Sequence, residues 1–147
     1  MESKGSPSLV KFRDIKESIK GWEEYLREGG QYLATAENGF AKRQNVFTTE
    51  ILYNLIAMAI EKLVMGILMQ SGNLPYNHTM KDLVEAMDEF LPGRLDGLRD
   101  RLIALDAYQD ICDLESYSIK PPAMAEIPAM LSLARELRAI AGVETGD

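Results

Sequence analysis

With one cysteine and one histidine in 147 residues, this sequence lacks the raw material for several kinds of chemistry. Cys112 alone makes neither a disulfide framework nor a Cys-based zinc site, a usage that suits a reducing cytoplasm. His78 has no second imidazole at helical or loop spacing with which to hold a metal. Nothing like G-x-S-x-G stands with it to form a hydrolase triad. Its expected place is beside the N-cap of a helix, hydrogen-bonded locally. There is no P-loop, no G-x-G-x-x-G and no Arg-rich stripe; Lys42, Arg43, Arg94, Arg99 and Arg101 are scattered among acids. The net charge of −7 weakens non-specific attraction to phosphate backbones. With none of these motifs present, no cofactor is called for, and the N-terminus lacks a positive–apolar–small signal pattern, so no export is expected.

Strand signals are missing as well: no stretch alternates strictly with β-branched residues between turns. Helical spacing recurs instead. Trp22, Leu26, Gly29, Leu33, Ala36 and Phe40 step by three or four, and the stripe keeps its phase across Gly29-Gly30, which implies close helix contact or a kink there. A second helix is expected from about Thr49 to Gln70, ended by "SGNLP". Its apolar run, residues 51–69, is long enough for a membrane span. Glu61 and Lys62 sit at its middle, where an ionisable group costs roughly 2.5–3.5 kcal/mol in a bilayer. The expectation is therefore the central helix of a bundle, with no membrane partner.

Thr79 is placed to cap a third helix, with Asp82 three residues on, and Met80, Leu83, Val84, Met87, Phe90 and Leu91 form its apolar face. A fourth helix is predicted from about Arg94 to Glu115 on Leu95, Leu98, Leu102, Leu105, Tyr108 and Cys112. A fifth starts near Ala123 or Pro128 and closes at Gly142. The fold class is all-α, a five-helix, mostly antiparallel, up-and-down bundle. Residues 1–10, rich in Ser, Gly and Pro, read as a flexible tail before a single domain over 11–147.

Chemical candidates are few. Asp106, Asp110 and Asp113 recur at i, i+4 and i+7, a carboxylate face that suits a hard cation, or simply a solvated flank. Adjacent residues on a helix point about 100° apart, so Glu61 and Lys62 do not pair with each other and each needs solvent, a partner charge or a ligand. A Lys stem lying over apolar surface with its ammonium in water is the plain reading; a polar spot on a subunit interface is the sharper one.

The order of segments carries a resemblance. "AIEKLVMGIL" (59–68) in an apolar helix is followed by a short loop and "HTMKDLVEAM" (78–87), and then by a long segment ending near Tyr117. Over about residues 20–142 this resembles the HEPN family of small helical, commonly dimeric bundles. Glu61 and Lys62 match the family's Glu-Lys pair, and His78 matches the His that often opens its third helix. The ribonuclease members use an Arg followed four to six residues later by His. Here Ser116 precedes Tyr117 where Arg is usual, and no His follows. The resemblance thus implies a non-catalytic binding or interaction module, a homodimer. It binds a nucleotide or RNA, or pairs with a nucleotidyltransferase-type partner as in toxin–antitoxin-like systems. Glu61, Lys62, His78 and Tyr117 are the binding candidates. Two other readings stay open: a metal-assisted phosphodiester hydrolase on the Asp106, Asp110, Asp113 face, and a structural helical adaptor.

Overall fold

The computed structural model describes residues 17–108 and 121–143. The tail and three site candidates, Asp110, Asp113 and Tyr117, lie outside the described residues. Within them the chain is all-helical: five α-helices and two short 3-10 turns. The helices are α1 (Trp22–Lys42), α2 (Thr49–Gln70), α3 (Met80–Phe90), α4 (Arg99–Ala104) and α5 (Ile127–Ala141). The 3-10 turns are Leu105–Tyr108, directly after α4, and Met124–Glu126, directly before α5.

α2 is the hub. By length and composition it is apolar enough to cross a membrane, yet most of that window is buried within the fold. Its last turns are buried on every side, from Leu63 through Met69. A helix apolar all round needs neighbours all round, and α1, α3 and α5 all pack on it.

The contact between α1 and α2 depends on missing side chains. A Cβ on Gly29 would lie 2.8 Å from Leu63 Cγ and 3.1 Å from the Ala59 carbonyl oxygen. A Cβ on Gly66 would lie 2.5 Å from Leu26 Cδ2 and 3.1 Å from the Trp22 carbonyl oxygen. The two glycines therefore let each backbone approach the other helix. As residue numbers rise along α1 their neighbours fall along α2, so this pair runs antiparallel. The Gly29-Gly30 doublet is accordingly a site of close contact inside one unbroken helix.

α3 begins as its sequence predicts. The Thr79 hydroxyl oxygen accepts from the Asp82 N–H at 3.0 Å and donates to the Asp82 carboxylate at 2.6 Å. The fourth helix differs from its prediction: it starts at Arg99 and gives way to a 3-10 turn at Leu105. Gly93 and Gly97 have φ of 86° and 87°, left-handed values that an α-helix does not contain. The apolar spacing of Leu95 and Leu98 is satisfied instead by tight turns that bury both residues. α5 carries Pro128 in its first turn and ends at Gly142, as expected.

α5 is tied to α1 by charge. Glu37 accepts from Arg135 Nε at 2.5 Å and from Arg138 Nη1 at 3.2 Å, and the Arg138 side chain is only 10% exposed. Burial pushes the Glu37 carboxyl up, and the two guanidinium hydrogen bonds more than offset it, so its pKa lies below the ordinary 4.5. A depressed folded-state pKa contributes stability that is fully present above the ordinary value and is lost as pH falls through the folded value. Glu37→Gln is therefore expected to lose about 1–3 kcal/mol at neutral pH, and its stability should fall less steeply than the parent's as pH drops below 4.5. Urea unfolding at a series of pH values measures both. Gly66→Val is expected to cost about 1–3 kcal/mol by overpacking. Gly30→Ala, whose new Cβ meets only the Val143 side chain at 3.1 Å, should stay within about 1 kcal/mol of the parent in the same assay.

Candidate functional site

The polar residues that interrupt α2 find their partners on opposite sides. Lys62 turns toward α1: its Nζ lies 2.8 Å from Glu28 Oε1 and 4.5 Å from the centre of the Tyr25 ring. The Glu28 hydrogen bond holds the ammonium above its usual pKa and the same bond holds the Glu28 carboxyl below its own. Of the destinations expected for Lys62, the ammonium reaches a partner charge, in an ion pair between helices that stays partly exposed. Glu61 turns toward α3. Its Oε2 accepts from His78 Nδ1 at 2.5 Å. His78 stands next to the N-cap, as expected, but its partner is on α2 rather than nearby in the chain. Because a carboxylate only accepts, the bond places a ring proton on Nδ1, and in the neutral imidazole Nε2 is then an acceptor.

Glu61 and His78 line a cleft of about 290 Å³ together with Tyr53, Asn54, Ala57, Met58, Thr79, Met80 and Asp106. Tyr53, 2% exposed, forms the floor, and Met58, 40% exposed, forms part of the rim. The Tyr53 hydroxyl donates to the Leu105 carbonyl at 2.8 Å, and its ring tilts at 58° against Tyr108. Burial first, then the neighbouring Asp106 carboxylate and Tyr108, push the phenol pKa up to about 12. Tyr53 is therefore a neutral donor at any physiological pH.

Asp106 has a structural task. Its two carboxylate oxygens accept from the backbone N–H groups of Met80 at 3.0 Å and Lys81 at 3.1 Å. With Thr79 holding the Asp82 N–H, the free donors of the first turn of α3 are satisfied, and a negative charge sits at the positive end of the helix dipole. Asp106 lies in the 3-10 turn, and Asp110 and Asp113, the other members of the expected carboxylate face, lie outside the described residues. Among the described residues no group of three or more His, Cys, Asp or Glu is arranged to hold a metal.

The structure thus brings Glu61, His78 and Asp106 to one cleft and sends Lys62 to another face. Tyr53 and Asn54 escaped the sequence reading. The signal available was that both interrupt the apolar run of α2 two turns before Glu61. In chemical capacity the cleft offers an oriented imidazole, and among the described residues that line it the one aliphatic hydroxyl, that of Thr79, is committed to Asp82. A larger cleft of about 430 Å³ between α4 and α5 has its charged groups already paired: Arg101 with Glu136, and Tyr108 with Glu126.

Comparison with protein-family models, with curated proteins and with solved structures finds no match to this chain.

Asp106→Ala leaves two N–H groups at the start of α3 without acceptors and is expected to cost about 0.5–2 kcal/mol. Native-state hydrogen exchange should show faster exchange at Met80 and Lys81 in that variant, with Gly66 and its neighbours in α2 changed only by the global loss.

Proposed function

We propose that this chain is a non-catalytic, HEPN-like binding module. It folds as an up-and-down bundle, works as a cytoplasmic homodimer and engages a protein partner through the cleft between α2 and α3. A nucleotidyltransferase-type partner, as in toxin–antitoxin-like pairs, is the class that the resemblance implies. The observation that carries the reading is the Glu61–His78 contact. Two of the residues on which the resemblance rests, Glu61 and His78, are 17 positions apart in the chain and meet at the mouth of one cleft. A residue held mid-helix in an apolar segment and paired only at the surface is better suited to recognition than to structure, because an apolar replacement would pack as well there.

The surroundings support a protein partner. Ile51, Leu55 and Met58 follow one another along one side of α2, with Ile51 43% and Met58 40% exposed, and Tyr76, just before His78, is 90% exposed. Apolar and aromatic side chains around a polar centre are the usual composition of a recognition surface. Among the described residues the imidazole meets a carboxylate and no nucleophile, and Asp106 is engaged with α3, which favours the binding reading.

Light scattering on the purified chain is expected to give twice the 16.4 kDa chain mass; a 16.4 kDa species at tens of micromolar would remove the homodimer. Nucleotides, short RNAs and divalent metals should leave the unfolding midpoint unchanged. A ligand at about 100 times its Kd adds roughly 2.7 kcal/mol, several degrees at this size. Such a rise with a nucleotide or RNA would replace the protein-partner reading with a nucleic-acid one.

A further inference from the structure

The α2–α3 cleft is unbalanced in both charge and hydrogen-bonding capacity. It brings together the carboxylates of Glu61 and Asp106, and among the described residues neither Lys nor Arg lines it. The two lysines adjacent in sequence are directed away, Lys62 to Glu28 and Lys81 to within 4.0 Å of Glu85. Asp106 is compensated by two helix N–H groups. Glu61 is not: His78 occupies Oε2 and no described residue engages Oε1. The Asn54 side chain faces the same space with no hydrogen-bond partner among the described residues, and in the neutral ring His78 Nε2 adds another acceptor. The cleft therefore presents acceptors in excess and one carboxylate oxygen in want of a donor.

Among the described residues an anion entering here would meet two carboxylates and no Lys or Arg, so phosphate groups are disfavoured. A group with several N–H donors and a positive charge satisfies the carboxylate and the amide together, and charge-assisted bonds of that kind are about twice as strong as neutral ones. At about 290 Å³ the cleft sits at the lower edge of small-molecule pockets, room for one extended side chain or a short amine. Its apolar surfaces, Ala57, Met58 and Met80, suit an alkyl stem.

We infer that the cleft binds a guanidinium or primary ammonium group through Glu61 and Asn54, with the stem lying along Met58. The group comes either from an Arg or Lys side chain of a partner protein or from a free amine. The inference rests on the cleft being the binding site of the module and specifies what that site takes.

The chain's single histidine makes the imidazole ring signals of His78 an unambiguous reporter in ¹H–¹³C spectra. Agmatine, a capped Ala-Arg-Ala peptide, AMP and inorganic phosphate are titrated in turn. Agmatine or the peptide should shift the His78 signals saturably. Binding should weaken at least about tenfold in Glu61→Gln, a difference of about 1.4 kcal/mol. It should also weaken in Asn54→Leu, which leaves the Glu61–His78 pair in place and serves if Glu61→Gln unfolds. Glu28→Gln, on the α1 side, should bind as the parent does. Tighter binding of the peptide assigns the group to a protein partner; tighter binding of agmatine assigns it to a free amine. No saturable shift with either probe overturns the inference, as does equal weakening in Glu61→Gln and Glu28→Gln, which would mean diffuse charge attraction. A saturable shift with AMP or phosphate alone also overturns it, while leaving the cleft as the binding site.

Discussion

Everything in this fold hangs on the close approach of α1 and α2 at Gly29 and Gly66. With no Cβ at either position, Leu63 and Leu26 each occupy the space a side chain would have taken, and the carbonyls of Ala59 and Trp22 lie just beyond. Glycine in a helix interior is unfavourable by about 1 kcal/mol relative to alanine. Here two such positions permit a helix pair tight enough to cover one side of α2. The remaining sides are taken by α3 and α5, and the fully apolar C-terminal turns of α2 are thereby enclosed.

Polar groups then locate the outer elements. Glu37 draws Arg135 and Arg138 of α5 onto α1. Tyr53 fastens α2 to the Leu105 carbonyl, and Asp106, one residue further on, holds the start of α3. Two adjacent residues of the 3-10 turn thus receive a hydrogen bond from α2 and close the N-terminus of α3. This cross-linking builds the cleft: its floor is Tyr53, one wall is the α3 N-terminus with Asp106 behind it, and the rim carries Glu61 and His78. The functional reading and the stability of α3 share these residues, so a substitution at Asp106 tests structure whereas one at Glu61 tests recognition.

The helical class, the spans of α1 and α2, the Thr79 cap and the Gly142 stop were all legible in the sequence, because each depends on residues within one or two turns of one another. The fourth helix was misjudged because Leu95 and Leu98 keep helical spacing while Gly93 and Gly97 adopt left-handed backbone angles, and apolar period alone does not register that. Nor does a sequence disclose where a charge in an apolar helix points. Adjacent residues diverge by about 100°, so Glu61 and Lys62 inevitably face different neighbours. Which neighbours those are, His78 for one and Glu28 for the other, is set by how three helices pack. Local chemistry wrote the elements, and only the tertiary structure, by juxtaposing residues 17, 25 and 52 positions apart, made a cleft of them.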